Sequence, residues 1–160
     1  MIYLTEEISS QENMEAWFSQ LSDPAFPLKK GTILEQLKPD FVCCNFAQRT
    51  AEFVFHVQDW QLNPEGGLHG GIIVTQFDAA FGLTAHYFAK QHMLSTITIN
   101  TTFLKPIRQD DVIHYKVKVT SLGNTIYNMT AEAWLKRDNI LAATASTSFM
   151  KLHHVFAQPI

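Results

Sequence analysis

The chain has only two cysteines, Cys43 and Cys44, and they are adjacent. Neighbours in a strand point to opposite faces, so this pair is poorly placed to bridge. No disulfide framework and no zinc-knuckle spacing follows, and two reduced thiols fit a cytoplasmic protein. Glycine and proline are sparse, at 7 and 6 of 160 residues, which excludes collagen-like and linker-like chains. A basic surplus is also missing. Lys+Arg number 12 against 15 Asp+Glu, a formal net charge of −3, so no nucleic-acid partner is expected. Nor is there an unbroken apolar run. The most apolar stretch, Leu68 to Ala89, is interrupted by His69, Gln76, Asp78 and His86. A spanning helix needs ~20 mainly apolar residues, so no membrane segment is expected. At the N-terminus Glu6 and Glu7 precede any long apolar run, which argues against a signal peptide.

What is present is an ordinary globular mixture, 46% hydrophobic and 17% charged. It carries enough apolar mass for a core. A length of 160 residues predicts one domain, 1–160, with an N-terminal helical extension over about 1–38. In that extension Ser9 to Glu12 fits a capping box, and Met14, Trp17, Phe18 and Leu21 repeat at helical spacing. Pro24 and Pro27 close the helix, and a linker runs to Pro39. Phe41–Ala47 and Thr50–Gln58 read as a strand pair, with Ala51, Phe53, Phe55 and Val57 on one face. A glycine-rich turn from Asn63 to Gly71 then opens a helix over about Gly70 to Ala89, apolar nearly all round and so expected to be wrapped by other elements. Four strands follow, Leu94–Leu104, Val112–Thr120, Thr125–Leu135 and Leu141–Leu152. In the first, alternation sets Ile97, Ile99, Thr101 and Phe103 opposite Thr96, Thr98, Asn100 and Thr102. Without strand–helix alternation a parallel sheet is disfavoured, and an antiparallel α+β fold is expected.

Asp78 is the one formally charged residue between Gly66 and Ala89. It has no Lys or Arg at helical spacing. Burying a lone carboxylate costs several kcal/mol unless it is paired or protonated. Burial raises its pKa, which suits a general base or acid. A structural Asp bonded to a strand hydroxyl is the alternative. His69-Gly70-Gly71 forms the second feature. The first N–H groups of a helix lack internal partners and carry the positive end of its dipole. Glycines leave those amides open to a ligand, so Gly70 and Gly71 are candidates for an oxyanion or phosphate site. The alternative is a tight turn and nothing more. No P-loop or dinucleotide fingerprint is present. Gly70 and Asp78 are eight residues apart, ~12 Å along a helix. Groups that act on one carbon must lie within ~3 Å of their targets, so if both are catalytic two chains must cooperate. A symmetric dimer with antiparallel helices then has two equal sites.

The pattern Asn63-x5-His69-Gly70-Gly71-x6-Asp78, followed by Thr96-x-Thr-x-Asn100-x-Thr-Phe-Leu-x-Pro106, resembles the hotdog-fold acyl-CoA thioesterases, closest to their PaaI-like branch. The resemblance runs from about Val54 to Met150. It implies an antiparallel sheet wrapped around a long central helix, two subunits pairing into one continuous sheet, and dimers that often associate as tetramers. It implies an acyl-CoA substrate and, position by position, roles. Asp78 falls at the catalytic carboxylate, as general base or nucleophile. Gly70 falls where a backbone N–H polarises the thioester carbonyl, and Asn63 at a polar side chain that helps hold the nucleophile or carbonyl. His69 falls at a supporting residue, and Thr96 at a hydroxyl that orients water. In the family the Asn63 and Gly70 equivalents come from one subunit and those of Asp78 and Thr96 from the other.

Seven histidines invite a metal reading, but His86 and His92 are six apart and His153 and His154 adjacent, which is not metal-ligand spacing. No metal or other cofactor is expected. Phe77 and Phe81 are core candidates that also suit the wall of an acyl pocket. Two further functions compete with hydrolysis: non-catalytic acyl-CoA binding, and a hydratase or dehydratase, which would want a His working with a carboxylate on the β-carbon.

Overall fold

The computed structural model describes residues 9–156. Met1 to Glu7, on which the reading against a signal peptide rests, lie outside them. Three α-helices and six strands form in the order α1 (Gln11–Ser19), α2 (Ile33–Leu37), β1 (Asp40–Asn45), β2 (Thr50–His56), α3 (Gly70–Ala89), β3 (His92–Phe103), β4 (Val112–Leu122), β5 (Ile126–Leu135) and β6 (Ile140–Val155). The strands make one antiparallel sheet, ordered β1-β2-β4-β5-β6-β3. The α+β architecture and the bounds of α3 are those expected from the sequence. Among the described residues no helix is long and apolar enough to cross a membrane.

Helix α3 packs across one face of the sheet. Ile73, Phe77, Ala80, Phe81, Leu83 and Tyr87 are buried in it, against Phe53 and Phe55 of β2, Tyr115 of β4 and Ala131 of β5. Phe77 and Phe81 are fully buried. Their rings stack on each other, and that of Phe77 stands edge-on to Tyr115. Burying one such ring stabilises the fold by ~1.5–3 kcal/mol.

The N-terminal residues pack on the same core through Met14, Trp17, Phe18 and Leu37. Three local readings are corrected here. The cap of α1 is Ser10, whose hydroxyl accepts from the Asn13 N–H, not a box starting at Ser9. The expected linker contains α2, capped by Thr32, which accepts from the Leu34 N–H, while Glu35 reaches back to the Gly31 N–H. The alternation across β3 breaks at Ile97. Thr96 pairs with Phe149 and Thr98 with Ser148, so Ile97 is an extra residue, a β-bulge. The bulge turns both Thr96 and Ile99 towards α3 and the core and leaves Ile97 49% exposed.

The two sheet edges differ. Beside the short β1, the Gln11 amide donates to the Cys44 carbonyl and accepts from the Phe46 N–H, so a side chain stands where another strand would. Among the described residues the 12-residue β3 has no such cover, and it exposes Met93, Ile97 and Phe103.

Candidate active site

The turn before α3 is tied on both sides. Leu62 bridges Leu68, and Gly67 bridges Arg108. Asn63 organises the interior. Its Oδ1 accepts from the N–H groups of Glu65 (3.0 Å) and Gly67 (2.9 Å), and its own N–H donates to the Gly67 carbonyl (2.7 Å). Gly66 takes φ +78°, which side chains other than glycine's resist. The Asn63 oxygen is therefore spent on its turn, and the Nδ2 group is what remains to offer a ligand.

His69 is the N-cap of α3. Its Nδ1 accepts from the Gly71 N–H at 2.9 Å. The Gly71 amide is thus taken, and the ring is held over the helix start. The Gly70 N–H has no hydrogen-bond partner among the described residues. Gly70 and Asn63 line one cavity, of about 330 Å³, together with Phe103, Lys105 and Pro106. A free amide on the positive end of a helix, beside a side-chain N–H₂, forms a donor pair suited to a carbonyl oxygen that gains negative charge.

Asp78 faces a different cavity, of about 250 Å³, lined by Leu28, Leu34, Ala79, Leu83, His86 and Phe149 among others. Thr96 of β3 donates to Asp78 Oδ1 at 2.9 Å. No cation pairs with Asp78 among the described residues; Lys90, just past the end of α3, bonds Ser9 instead. Burial raises the pKa of Asp78 above the usual carboxylate range, and the Thr96 bond pulls it part of the way back. The result is a carboxylate with one oxygen held and the other open to a proton.

The expected residues thus fall into two separate groups. Asn63, His69 and Gly70 gather at the start of α3, Asp78 and Thr96 at its middle, and no residue lines both cavities. Phe77 and Phe81 line neither and belong to the core. Gly71 is exposed, with its amide bound to His69. His86, which the sequence reading weighed only as a metal ligand, follows Asp78 by eight residues on α3, about 80° round the helix, and lines the same cavity. Among the described residues no group of three or more His, Cys, Asp and Glu side chains gathers at metal-binding distance.

Residues 65–142 match the family model described as Thioesterase superfamily. An uncharacterized acyl-CoA thioester hydrolase of Buchnera aphidicola is 28% identical over 75 residues, which span 47% of this chain and 56% of that protein. The match to this curated relative therefore spans little more than half its length. Among solved structures, the E. coli PaaI protein of the phenylacetic acid degradation operon aligns with a TM-score of 0.73 at 15% identity, covering 89% of this chain and 98% of that one. A thioesterase of Haemophilus influenzae aligns with a TM-score of 0.71 at 17% identity, covering 96% and 100%. A Streptococcus mutans protein solved with acetyl CoA aligns at 0.64 and 20% identity, covering 71% and 88%. The fold is that of these solved structures, and just under half of the chain resembles the Thioesterase superfamily.

Proposed function

We propose that the protein hydrolyses acyl-CoA thioesters at sites built from two copies of the chain. The single observation that carries this reading is the division of the donor pair and the carboxylate between two cavities of one chain. Each half is chemically incomplete. Gly70 and Asn63 offer donors without a base, and Asp78 with Thr96 offers a base without an oxyanion site. The open β3 edge supports the pairing. It is long, unpaired among the described residues and exposes Met93, Ile97 and Phe103, which fits a second β3 running antiparallel to it. Such a dimer sets the start of one α3 beside the middle of the other. The acyl-CoA names of the Buchnera relative and the Streptococcus structure support the substrate class.

In the proposed reaction the thioester carbonyl oxygen takes hydrogen bonds from the Gly70 N–H and Asn63 Nδ2. A water donates one hydrogen to the open oxygen of Asp78 and the other to Thr96 Oγ1. Thr96 Oγ1 keeps its lone pairs for this bond while its own proton points to Asp78. As the water oxygen bonds to the carbonyl carbon, its proton passes to Asp78 and negative charge collects on the carbonyl oxygen. The C–S bond then breaks, and the departing thiolate takes the proton back from Asp78. The products are a free acid and the CoA thiol. Asp78 acting directly as nucleophile is the competing route within this function. Free-thiol release from a panel of acyl-CoAs tests the reading. Hydration of an enoyl-CoA, followed in the ultraviolet, or tight binding without turnover would overturn it in favour of a hydratase or a binding protein.

A further inference from the structure

The Asp78 cavity runs beside α3. Asp78, Ala79, Leu83 and His86 line it from the helix, and Leu28 and Leu34 of the N-terminal segment line it from α2 and the turn before it. Two threonines also line it, but both hydroxyl protons are spent on backbone. Thr75 donates to the Gly71 carbonyl and Thr32 to that of Leu28, each at 2.8 Å. The side chains with open polar capacity are therefore Asp78 and, two turns on, His86.

His86 Nδ1 is sealed from solvent with no hydrogen-bond partner. A sealed N–H would be the costlier of the two orphan states, which favours the tautomer with the ring proton on Nε2 and a lone pair on the sealed Nδ1. Burial drives the pKa of His86 down to about 4, so the ring is neutral at neutral pH. Nε2 is not sealed and has no partner among the described residues. A mostly apolar cavity is thus lined by a carboxylate and, about two turns along α3, by an unused N–H donor.

We propose that His86 is a specificity residue: the acyl chain lies along α3 from Asp78, and Nε2–H donates to a keto or hydroxyl oxygen carried near its far end. The proposal rests on the hydrolase reading for the nature of the ligand. Eight helical residues span ~12 Å. An extended chain advances ~1.2 Å per bond, which gives about eight to ten bonds, less the reach of the two side chains. The slot of about 250 Å³ agrees, holding roughly eight groups of ~30 Å³ each. A plain acyl chain of this length leaves the His86 N–H facing hydrocarbon, and a site built around a substrate oxygen rejects the analogue that lacks it.

The test compares kcat/KM for octanoyl-CoA and 7-oxooctanoyl-CoA with the full chain, and calorimetric binding of the two free acids. The wild type should favour the oxo substrate by about 3- to 10-fold, chiefly through KM, as one neutral hydrogen bond allows. His86→Leu should reverse the preference, and His86→Gln, which restores a donor, should recover it. A wild-type ratio at or below one overturns the proposal, as does a His86→Leu variant that keeps the preference. If thioesters are cleaved without discrimination and the acids bind equally, the slot assignment fails and the hydrolase reading stands. If no thioester is cleaved but the oxo acid binds better, and only while residue 86 carries a donor, the hydrolase reading fails and the slot assignment stands.

Discussion

Thr96 Oγ1 donates to Asp78 Oδ1 at 2.9 Å, joining a strand residue to a helix residue 18 positions earlier. The contact exists because of the bulge at Ile97. With strict alternation, Thr96 would lie on the face opposite Ile99 and point away from α3. One inserted residue lets a polar hydroxyl reach the carboxylate while the rest of β3 still packs on the core.

This bond should be visible in the pH dependence of turnover. In the proposed reaction Asp78 is a base only when ionised, so kcat/KM should fall on the acid side through its raised pKa. Removing the Thr96 hydroxyl takes away the interaction that lowers that pKa. Thr96→Val should therefore move the acid limb to higher pH as well as slow turnover, and Thr96→Ser should leave the limb near its wild-type place. An unmoved limb in the valine variant contradicts the assignment.

Asp78→Asn should remove most activity, ~10²–10⁴-fold for a positioned acid–base group, without loss of stability. The folded protein holds the Asp78 proton more tightly than the unfolded chain does. The ionised form is therefore a cost above the raised folded pKa, and the cost fades as pH falls through that value towards the unfolded one. A neutral amide in place of the carboxylate escapes that cost. The variant should match or exceed the wild type in urea unfolding at neutral pH and lose that advantage in acid. A variant that unfolds at neutral pH would make Asp78 a structural residue.

His69 can be separated from the chemistry by its cap. Losing the bond to the Gly71 N–H should cost ~0.5–2 kcal/mol in His69→Ala, and His69→Asn, a good cap, should recover most of it. Activity should follow the cap, because the same bond fixes the backbone that presents Gly70. Equal unfolding midpoints for His69→Ala and wild type would show that the cap contributes nothing.

Much of this architecture is legible in the sequence, for identifiable reasons. Helix α3 is bounded by His69-Gly70 and Ala89-Lys90, and its run of Ala, Phe and Leu without proline admits only a buried helix. Asp78 stands out by being alone. The short α2 is announced only by Thr32-x-x-Glu35, a capping signature lost among turn residues. The bulge has no local signature, because it is set by β6 pairing across 40 or more residues. The burial of Phe77 and Phe81 is likewise decided by where Tyr115 of a distant strand falls. Residue types identify the chemistry, while register and tertiary packing decide which groups can reach one another.

Single turnover in ¹⁸O-labelled water separates the two routes for Asp78. The water-activating route predicts label in the released acid and none in Asp78 by mass spectrometry of the protein. Label in the Asp78 carboxylate means direct attack.

The measurement closest to the centre of the account is complementation between two inactive chains. Gly70 is the first residue of α3 and the preceding His69 has φ −62° and ψ 133°, a conformation that accepts a following proline. Gly70→Pro therefore deletes the proposed oxyanion N–H at a position where proline suits a helix. Asp78→Asn deletes the base. In a mixed dimer one site carries both defects and the other neither. After subunit exchange, thiol release should rise from near zero towards half the wild-type rate per dimer. Exchange demonstrated by native mass spectrometry with no return of activity, or a stable monomer that turns over acyl-CoA, would contradict the shared site.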